Sequence, residues 1–302
     1  MANTRWGIDL GGTKIEGVVL SDHPNPQVLC RRRIATEADQ GYEHILQRIR
    51  MLVGEMSAET GLQPVRLGVG HPGALDPRTG LIKNANTTAL IGRPFDRDLS
   101  ALLGGIPVAT ANDANCFAVA EALMGAAPEL APDAQVVFGV IMGTGVGGGW
   151  VLRGRVWNGR QGIGGEWGHN FLDESGGPCY CGNTGCVETL ISGPATERYY
   201  ARTAGVAKSL RDIVADARRG ADPHAVHTIK RLCQLFGRAI ATVINLMDPD
   251  VIVLGGGLSA IDALYSRGVE AVIPHLFNDR LDTIFARPRL GDSAGVFGAA
   301  LL

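Results

Sequence analysis

The chain has 302 residues, 45% of them apolar, and its 28 Lys and Arg against 30 Asp and Glu leave a formal net charge of −2. That length buries a large core and predicts two domains rather than one. The balanced charge, without a basic run or charged tail, excludes nucleic acid as the main partner, and no apolar run approaches the length that spans a membrane.

The opening MANTRWGIDLGG enters a strand pattern at once and lacks the regions of a signal peptide, so a soluble cytoplasmic protein is expected. Cys30, Cys116 and Cys233 are isolated in apolar or mixed sequence, as reduced core thiols are. Trp6 to Leu10 and Ile15 to Leu20 read as two strands joined through Gly11, Gly12 and Thr13, with Asp9 near the end of the first. From Gly41 to Met56 the apolar residues Ile45, Ile49, Leu52, Val53 and Met56 recur at helical steps. A short strand from Arg66 to Gly70 breaks at His71, Pro72 and Gly73. Asn84 and Asn86 then lie in a loop before a short helix near Asp98 to Leu102. Val108 to Ala111 forms a strand ending on Asn112, Asp113, Ala114 and Asn115, directly before a helix through Met124. Side chains at the carboxyl end of a strand stand where open α/β sheets bind ligands.

A second unit opens at Val136 with VVFGVIMGTGVGGGWVLRGRVW, again strand, glycine turn and strand. The repeated form, one hairpin per half, predicts a duplicated α/β fold whose halves face each other across a cleft. Gly143, Gly145 and Gly148 match the spacing of a dinucleotide fingerprint, but that motif requires a helix directly after the glycines. Here Trp150, Val151 and Leu152 follow as strand, which argues against a nicotinamide dehydrogenase. A glycine hairpin can still hold phosphate through backbone N–H groups. Ala225 to Leu246 reads as a long amphipathic helix ended by Asp248 and Pro249, and Val251 to Leu254 as a buried strand entering Gly255, Gly256 and Gly257. A helix is expected after Leu258, and the tail GDSAGVFGAALL reads as a small-residue helix able to pack closely on a sheet.

Between these elements, GEWGHNFLDESGGPCYCGNTGCVE has little apolar periodicity and needs something other than a core to fold it. Its spacing, His169-x9-Cys179-x-Cys181-x4-Cys186, supplies three thiolates and one imidazole, a donor set of closed structural zinc sites. A disulfide with a spare thiol is the plainer alternative. Four protein ligands leave no open position, so the Zn²⁺ is read as scaffold for the polar groups beside it, notably Glu166, His169 and Glu188.

The run of DLGGTK from Asp9, NDAN from Asn112, GTGVGGG from Gly143, GEWGH from Gly165, CYCGNTGCVE from Cys179 and LGGGLS from Leu254 resembles the ROK family of sugar kinases, in the actin-like ATPase-domain superfamily. KNANTT, PFDRDL and GEWGHN look most like the family's bacterial fructokinases of the manno(fructo)kinase type, with N-acetylglucosamine kinases and glucokinases as near relatives. The resemblance implies two actin-like (ribonuclease H-like) α/β domains with ATP between them and sugar in the cleft. The expected division is 1–112 and 113–290, with a C-terminal helix at about 291–302 packing back on the first domain and a zinc loop at 165–188. Asp9 would help to position Mg²⁺, and Gly11, Gly12, Thr13 and Lys14 would lie near the phosphates of ATP. Gly143, Thr144 and Gly145 would form the second phosphate loop, with Gly256 and Gly257 beside the adenosine. Asp113 would be the catalytic base, with Gly73, Asn86, Asn112, Glu166, His169 and Glu188 around a hexose. A homodimer is implied as well.

The chemistry has its own logic. A sugar hydroxyl is a poor nucleophile, and a positioned carboxylate can take its proton while Mg²⁺ and backbone donors hold the phosphate charge. The plainer role for Asp113 is an N-cap of the helix that follows. The expected reaction is transfer of the γ-phosphoryl group of ATP to the 6-hydroxyl of a free hexose, fructose first, with an N-acetylglucosamine kinase or glucokinase as the alternative. A non-catalytic sugar-responsive regulator is the alternative of another class. The family's repressors carry a DNA-binding domain ahead of DLGGT, and only eight residues precede Asp9 here.

Overall fold

The computed structural model describes residues 4–22 and 26–302. The chain forms two compact units, the first comprising the chain up to Met124 with Gly154–Gly164 and Leu290–Leu302, the second Gly125–Arg153 with Gly165–Arg289.

In the first unit, β1 (Thr4–Leu10), β2 (Lys14–Ser21) and β3 (Val28–Ala35) form an antiparallel meander. β4 (Leu67–His71) and β7 (Val108–Asn112) continue it as parallel strands, in the order β3-β2-β1-β4-β7. β5 (Ala74–Leu75) and β6 (Ile82–Lys83) make a separate ribbon, and β10 (Arg155–Val156) also belongs to this unit. Helices α1 (Tyr42–Thr60), α2 (Phe95–Leu102), α3 (Asp113–Leu123) and α9 (Ala294–Ala300) complete it. Residues on alternate faces of β2 enter different cores, as the period of two requires. Ile15 and Val19 pack with Ile45 and Ile49 of α1, while Val18 and Leu20 pack with Val296 and Ala300 of α9. Each Val, Leu or Ile side chain among them taken from water contributes ~1.5–3 kcal/mol.

The amphipathic helix runs past its expected end at Met56 to Thr60 and stops where Gly61 adopts φ 68°. The short helix expected near Asp98 starts earlier, at Phe95, which is fully buried. β3 follows from no strong apolar pattern, because Arg31, Arg32 and Arg33 occupy its middle.

The expected division after Asn112 falls instead at Met124. α3 packs on α9 backbone to backbone: a Cβ at Gly298 would stand 1.8 Å from the carbonyl oxygen of Cys116. Only a residue without a side chain permits that approach, and it ties both helices to the first unit.

In the second unit, β8 (Val136–Met142) and β9 (Val146–Leu152) form the hairpin, and β11 (Val251–Gly255) and β12 (Ile284–Ala286) extend it in parallel from β8. Helices α4 (Ala126–Leu130), α5 (Val187–Ile191), α6 (Gly193–Ala204), α7 (Leu210–Arg219) and α8 (Pro223–Met247) belong to it. Both sheets are thus a glycine hairpin continued by two parallel strands. Asp222 caps α8 by accepting from the amides of His224 and Ala225. The stripe Ile229, Leu232, Phe236, Ile240 and Val243 joins Phe138, Val140, Ile252 and Leu254 in one core. The helix expected after Leu258 begins only past a 3-10 turn at Gly257–Ala260 and an extended Ile261; it runs over 262–270, with its middle, Leu264–Gly268, wound as a π-helical turn. No helix among the described residues is long and apolar enough to cross a membrane.

Candidate active site and metal centre

In the first unit the β1–β2 turn is closed by Gly11 N donating to Lys14 O at 2.9 Å. Buried Thr36 clamps the turn from behind, its amide donating to Thr13 O at 3.0 Å and its hydroxyl to Gly11 O at 2.7 Å. Thr36 was not legible as a site residue, since it stands 23 positions beyond Thr13 with no motif around it. The turn leaves Gly12, Thr13 and Lys14 exposed.

The Asp9 carboxylate lies against Gly295 of α9, where a Cβ would be 2.9 Å from Oδ2. Burial, with repulsion from Asp113 and Glu16 overcoming the attraction of Lys14 and Arg33, raises its pKa to about 6. A carboxylate so placed gains from a bound cation, which fits the expected Mg²⁺.

β4 and β7 end side by side, with His71 opposite Asn112. Asn112 donates from Nδ2 to Gly73 O at 3.2 Å and accepts the Ala114 amide on Oδ1 at 2.8 Å, so Asn112 is the N-cap of α3. Gly73, at φ 78°, presses on the Asn86 loop: a Cβ there would be 2.4 Å from Lys83 O and 2.8 Å from Ala85 N. Gly73 thus touches both Asn112 and the loop that carries Asn86, and Asn86 itself is exposed. Asp113 follows the cap as the first residue of α3, sharing the Ala114 amide through Oδ1 at 2.8 Å. It retains solvent access, yet the protein around it desolvates the carboxyl and pushes its pKa up.

In the second unit Gly143 N donates to Gly145 O at 2.9 Å, and Gly193 N at the start of α6 donates to Gly143 O at 2.8 Å. Thr144 lies at the tip of this turn. Gly256 and Gly257 follow β11, and a Cβ at Gly256 would meet Met142 O at 2.3 Å, so the second glycine run abuts the end of β8. Glu188, in the first turn of α5, accepts the Val146 amide on Oε2 at 2.8 Å. Val146 follows Gly145 directly, so Glu188 braces the glycine turn, a link that no spacing in the sequence announces.

The GEWGH segment is anchored by its central residues. Trp167 Nε1 donates to Gly147 O at 2.9 Å and its ring packs edge-on against Phe138. Glu166 is exposed and His169 half-buried on either side of it. The ligand atoms of His169, Cys179, Cys181 and Cys186 all lie within 4.8 Å of one another. His169 Nδ1 is 3.6 Å from Cys179 Sγ, and Cys181 Sγ is 3.6 Å from Cys186 Sγ. Zn–S bonds of ~2.3 Å at tetrahedral angles separate two sulfurs by ~3.8 Å, so the four residues fit zinc as they stand. All six cysteines are free thiols, and the disulfide alternative is not realised. A backbone hydrogen bond at Asn183 draws the Cys181 thiol down to about 7, while burial pushes Cys186 up to about 12. The second nitrogen of His169, Nε2, lies 3.0 Å from the hydroxyl of Tyr180.

Two α/β units, each built on a glycine hairpin, with a Cys₃His loop inserted in the second, define the actin-like ATPase-domain fold. The chain belongs to the ROK family, whose model matches residues 5–302. It is 35% identical over 307 residues to the N-acetyl-D-glucosamine kinase of Yersinia pseudotuberculosis, covering 98% of each chain. With that of Pectobacterium atrosepticum it shares 37% over 317 residues, again covering 98% of each. Among solved structures it matches the ROK hexokinase of Thermus thermophilus at a TM-score of 0.87 and 32% identity, covering 99% of this chain and 97% of that one. A ROK glucokinase from Streptomyces griseus, in complex with glucose and AMPPNP, matches at 0.76 and 27%, covering 99% and 98%.

Proposed function

We propose that the protein is an ATP- and Mg²⁺-dependent hexose kinase that phosphorylates the 6-hydroxyl of a free hexose, acting in the cytoplasm as a homodimer. The observation that carries this reading is the division of labour between Asn112 and Asp113. Asn112 is the N-cap of α3, while Asp113, which shares the Ala114 amide, keeps a solvent-accessible carboxyl whose desolvation raises its pKa and makes the carboxylate a stronger base. Asp113 takes the proton of the sugar hydroxyl as the phosphoryl group transfers. Gly73, Asn86, Asn112, Glu166, His169 and Glu188 are assigned to the sugar. The turn formed by Gly11, Gly12, Thr13 and Lys14 and the one formed by Gly143, Thr144 and Gly145 are assigned to the phosphates, with Gly256 and Gly257 beside the nucleoside. Mg²⁺, held with the help of Asp9, neutralises phosphate charge when bound. The zinc has no open position and serves as scaffold.

Fructose ranks first as substrate, on the likeness of KNANTT, PFDRDL and GEWGHN to fructokinases. N-acetylglucosamine is the second reading, favoured by the kinases for that sugar at 35% and 37% identity. N-acetylglucosamine carries a bulky acetamido group at its 2-position, which a pocket closed there excludes by clash. A coupled ADP-release assay over fructose, glucose, mannose and N-acetylglucosamine ranks them by kcat/KM. A preference for the acetamido sugar overturns the ranking, and no ADP release with any hexose overturns the kinase. A non-catalytic regulator would also show no thermal shift with ATP and Mg²⁺.

A further inference from the structure

Between the ribbon of β5 and β6 and the segment Gly154–Gly164, the first unit holds a cavity of about 530 Å³ lined by Asp76, Pro77, Arg78, Lys83, Arg160 and Gln161. That is the size of a site for a small metabolite. None of the lining residues is assigned to hexose, nucleotide or metal.

Both walls are fixed. On one side Asp76 closes the ribbon turn: its amide donates to Leu81 O at 2.9 Å, and its carbonyl accepts from Gly80 N at 2.8 Å. Its Oδ1 also accepts the amides of Arg78 at 2.8 Å and Thr79 at 3.3 Å. On the other side Gly164 N donates to Asn158 O at 2.8 Å, and Gly162, at φ 71°, lies so near the ribbon that a Cβ would stand 2.7 Å from Leu75 O. Lys83 stitches the walls together, its Nζ donating to Gln161 O at 3.0 Å and lying 3.7 Å from Asp76 Oδ2.

The cavity thus sets three cations against one carboxylate, which two amides and Lys83 already engage. Among the described residues no ion pair takes up the guanidinium of Arg78 or of Arg160. Two arginines and a lysine around one hollow repel one another, and an anion with several oxygens offsets that repulsion. A guanidinium presents a planar fork that matches phosphate oxygens in pairs. The lining has no aromatic ring on which a base stacks, which disfavours a nucleotide.

We propose that this cavity binds a small phosphate monoester other than a nucleotide, with Arg78 and Arg160 gripping the phosphate and Lys83 completing its charge. A hexose 6-phosphate, the product of the proposed reaction, belongs to this class; that extension rests on the hexose-kinase reading, and the site itself does not. Both walls lead toward residues assigned to the reaction. Lys83 O is the atom against which Gly73 packs, three residues before Asn86, and Asn158 accepts from Asn115 Nδ2 at 3.0 Å, two residues past Asp113.

The test combines Arg78→Gln with Arg160→Gln and uses fructose 6-phosphate as the probe. Titration calorimetry is run with the reaction site filled by the best hexose of the panel, a non-hydrolysable ATP analogue and Mg²⁺, so that the ester binds only elsewhere. Losing two charge-assisted contacts is expected to raise its Kd at least ~10-fold. Both kcat and KM for hexose, measured without added phosphate, should stay at wild-type values. In the wild type the ester should slow hydrogen exchange of amides in 76–83 and 158–161. No binding to the wild type, an unchanged Kd in the variant, or protection confined to other segments would overturn the proposal. Equal weakening in a variant that loses two exposed arginines outside the cavity, Arg50→Gln with Arg211→Gln, would overturn it by tracing the binding to net charge. Inorganic phosphate binding as tightly as the ester would overturn the ester, and a loss of hexose affinity in the cavity variant would overturn a separate site. A wild-type protein that binds the ester but releases no ADP with any hexose refutes the kinase reading alone, and the Kd comparison still decides the cavity.

Discussion

The carboxylate of Glu188 accepts the backbone amide of Val146 at 2.8 Å, and a Cβ on Gly145 would stand 2.5 Å from the same oxygen. One side chain two residues beyond the last cysteine ligand thereby fixes the glycine turn assigned to phosphate. Glu188→Ala should strand a part-buried N–H, at a cost of ~1–3 kcal/mol, and raise KM for ATP as well as for hexose. Glu188→Gln keeps an acceptor oxygen and should spare ATP. Equal KM for ATP in the wild type and Glu188→Ala would show that the brace does not matter to the nucleotide.

Asp113→Asn tests the base. Because Asn112 supplies the cap, the variant should melt within a degree or two of wild type while kcat falls ~10²- to 10⁴-fold, the usual worth of positioned proton transfer. Asn112→Ala should instead cost ~1 kcal/mol of stability through the lost cap. Calorimetry and steady-state kinetics on the two variants separate the roles, and turnover near wild type in Asp113→Asn would remove the base.

Asp9 links the site to pH. Its pKa rises on folding from 3.8 to about 6, so the folded state binds the proton more tightly. Without metal, the resulting penalty is absent below pH 3.8, grows between 3.8 and about 6, and is complete above that. At full size it reaches ~3 kcal/mol. Asp9→Asn should therefore raise the melting temperature at pH 7.5 in EDTA but leave it unchanged at pH 3.5, while abolishing stabilisation by ATP with Mg²⁺. An equal effect at both pH values would show that the charge is not the cause.

The metal centre can be probed without dismantling it. His169→Cys offers four thiolates and should keep zinc near stoichiometric by metal analysis, while removing the imidazole assigned to the sugar. Hexose binding should weaken, and the ATP-dependent thermal shift should persist. Removing zinc altogether costs on the order of 10 kcal/mol of local folding free energy, and should weaken both ligands because α5, with Glu188, begins directly after Cys186. Zinc retained with hexose affinity unchanged would reduce His169 to scaffold.

Both glycine hairpins, the helical stripe from Ile45 to Met56, the long α8 with its stop at Asp248, and the Cys₃His spacing were legible in the sequence. Each is a local pattern: alternation, a 3.6-residue stripe, a turn residue, or ligands within eighteen residues of one another. The same held for Asp113, whose place at a strand-to-helix junction could be read, though whether it or Asn112 made the cap could not. Tertiary structure decided what depends on residues far apart in the chain. The placement of α3 with the first unit needed Gly298 against Cys116, 182 positions earlier. β3 formed although arginines fill its centre, because Arg31 and Arg33 pair with buried Glu16 on the neighbouring strand. Thr36 behind the first turn and Glu188 behind the second are likewise invisible in sequence. A backbone N–H or C=O takes whichever partner the fold brings to it, and burial makes that partner obligatory without leaving any periodicity to read.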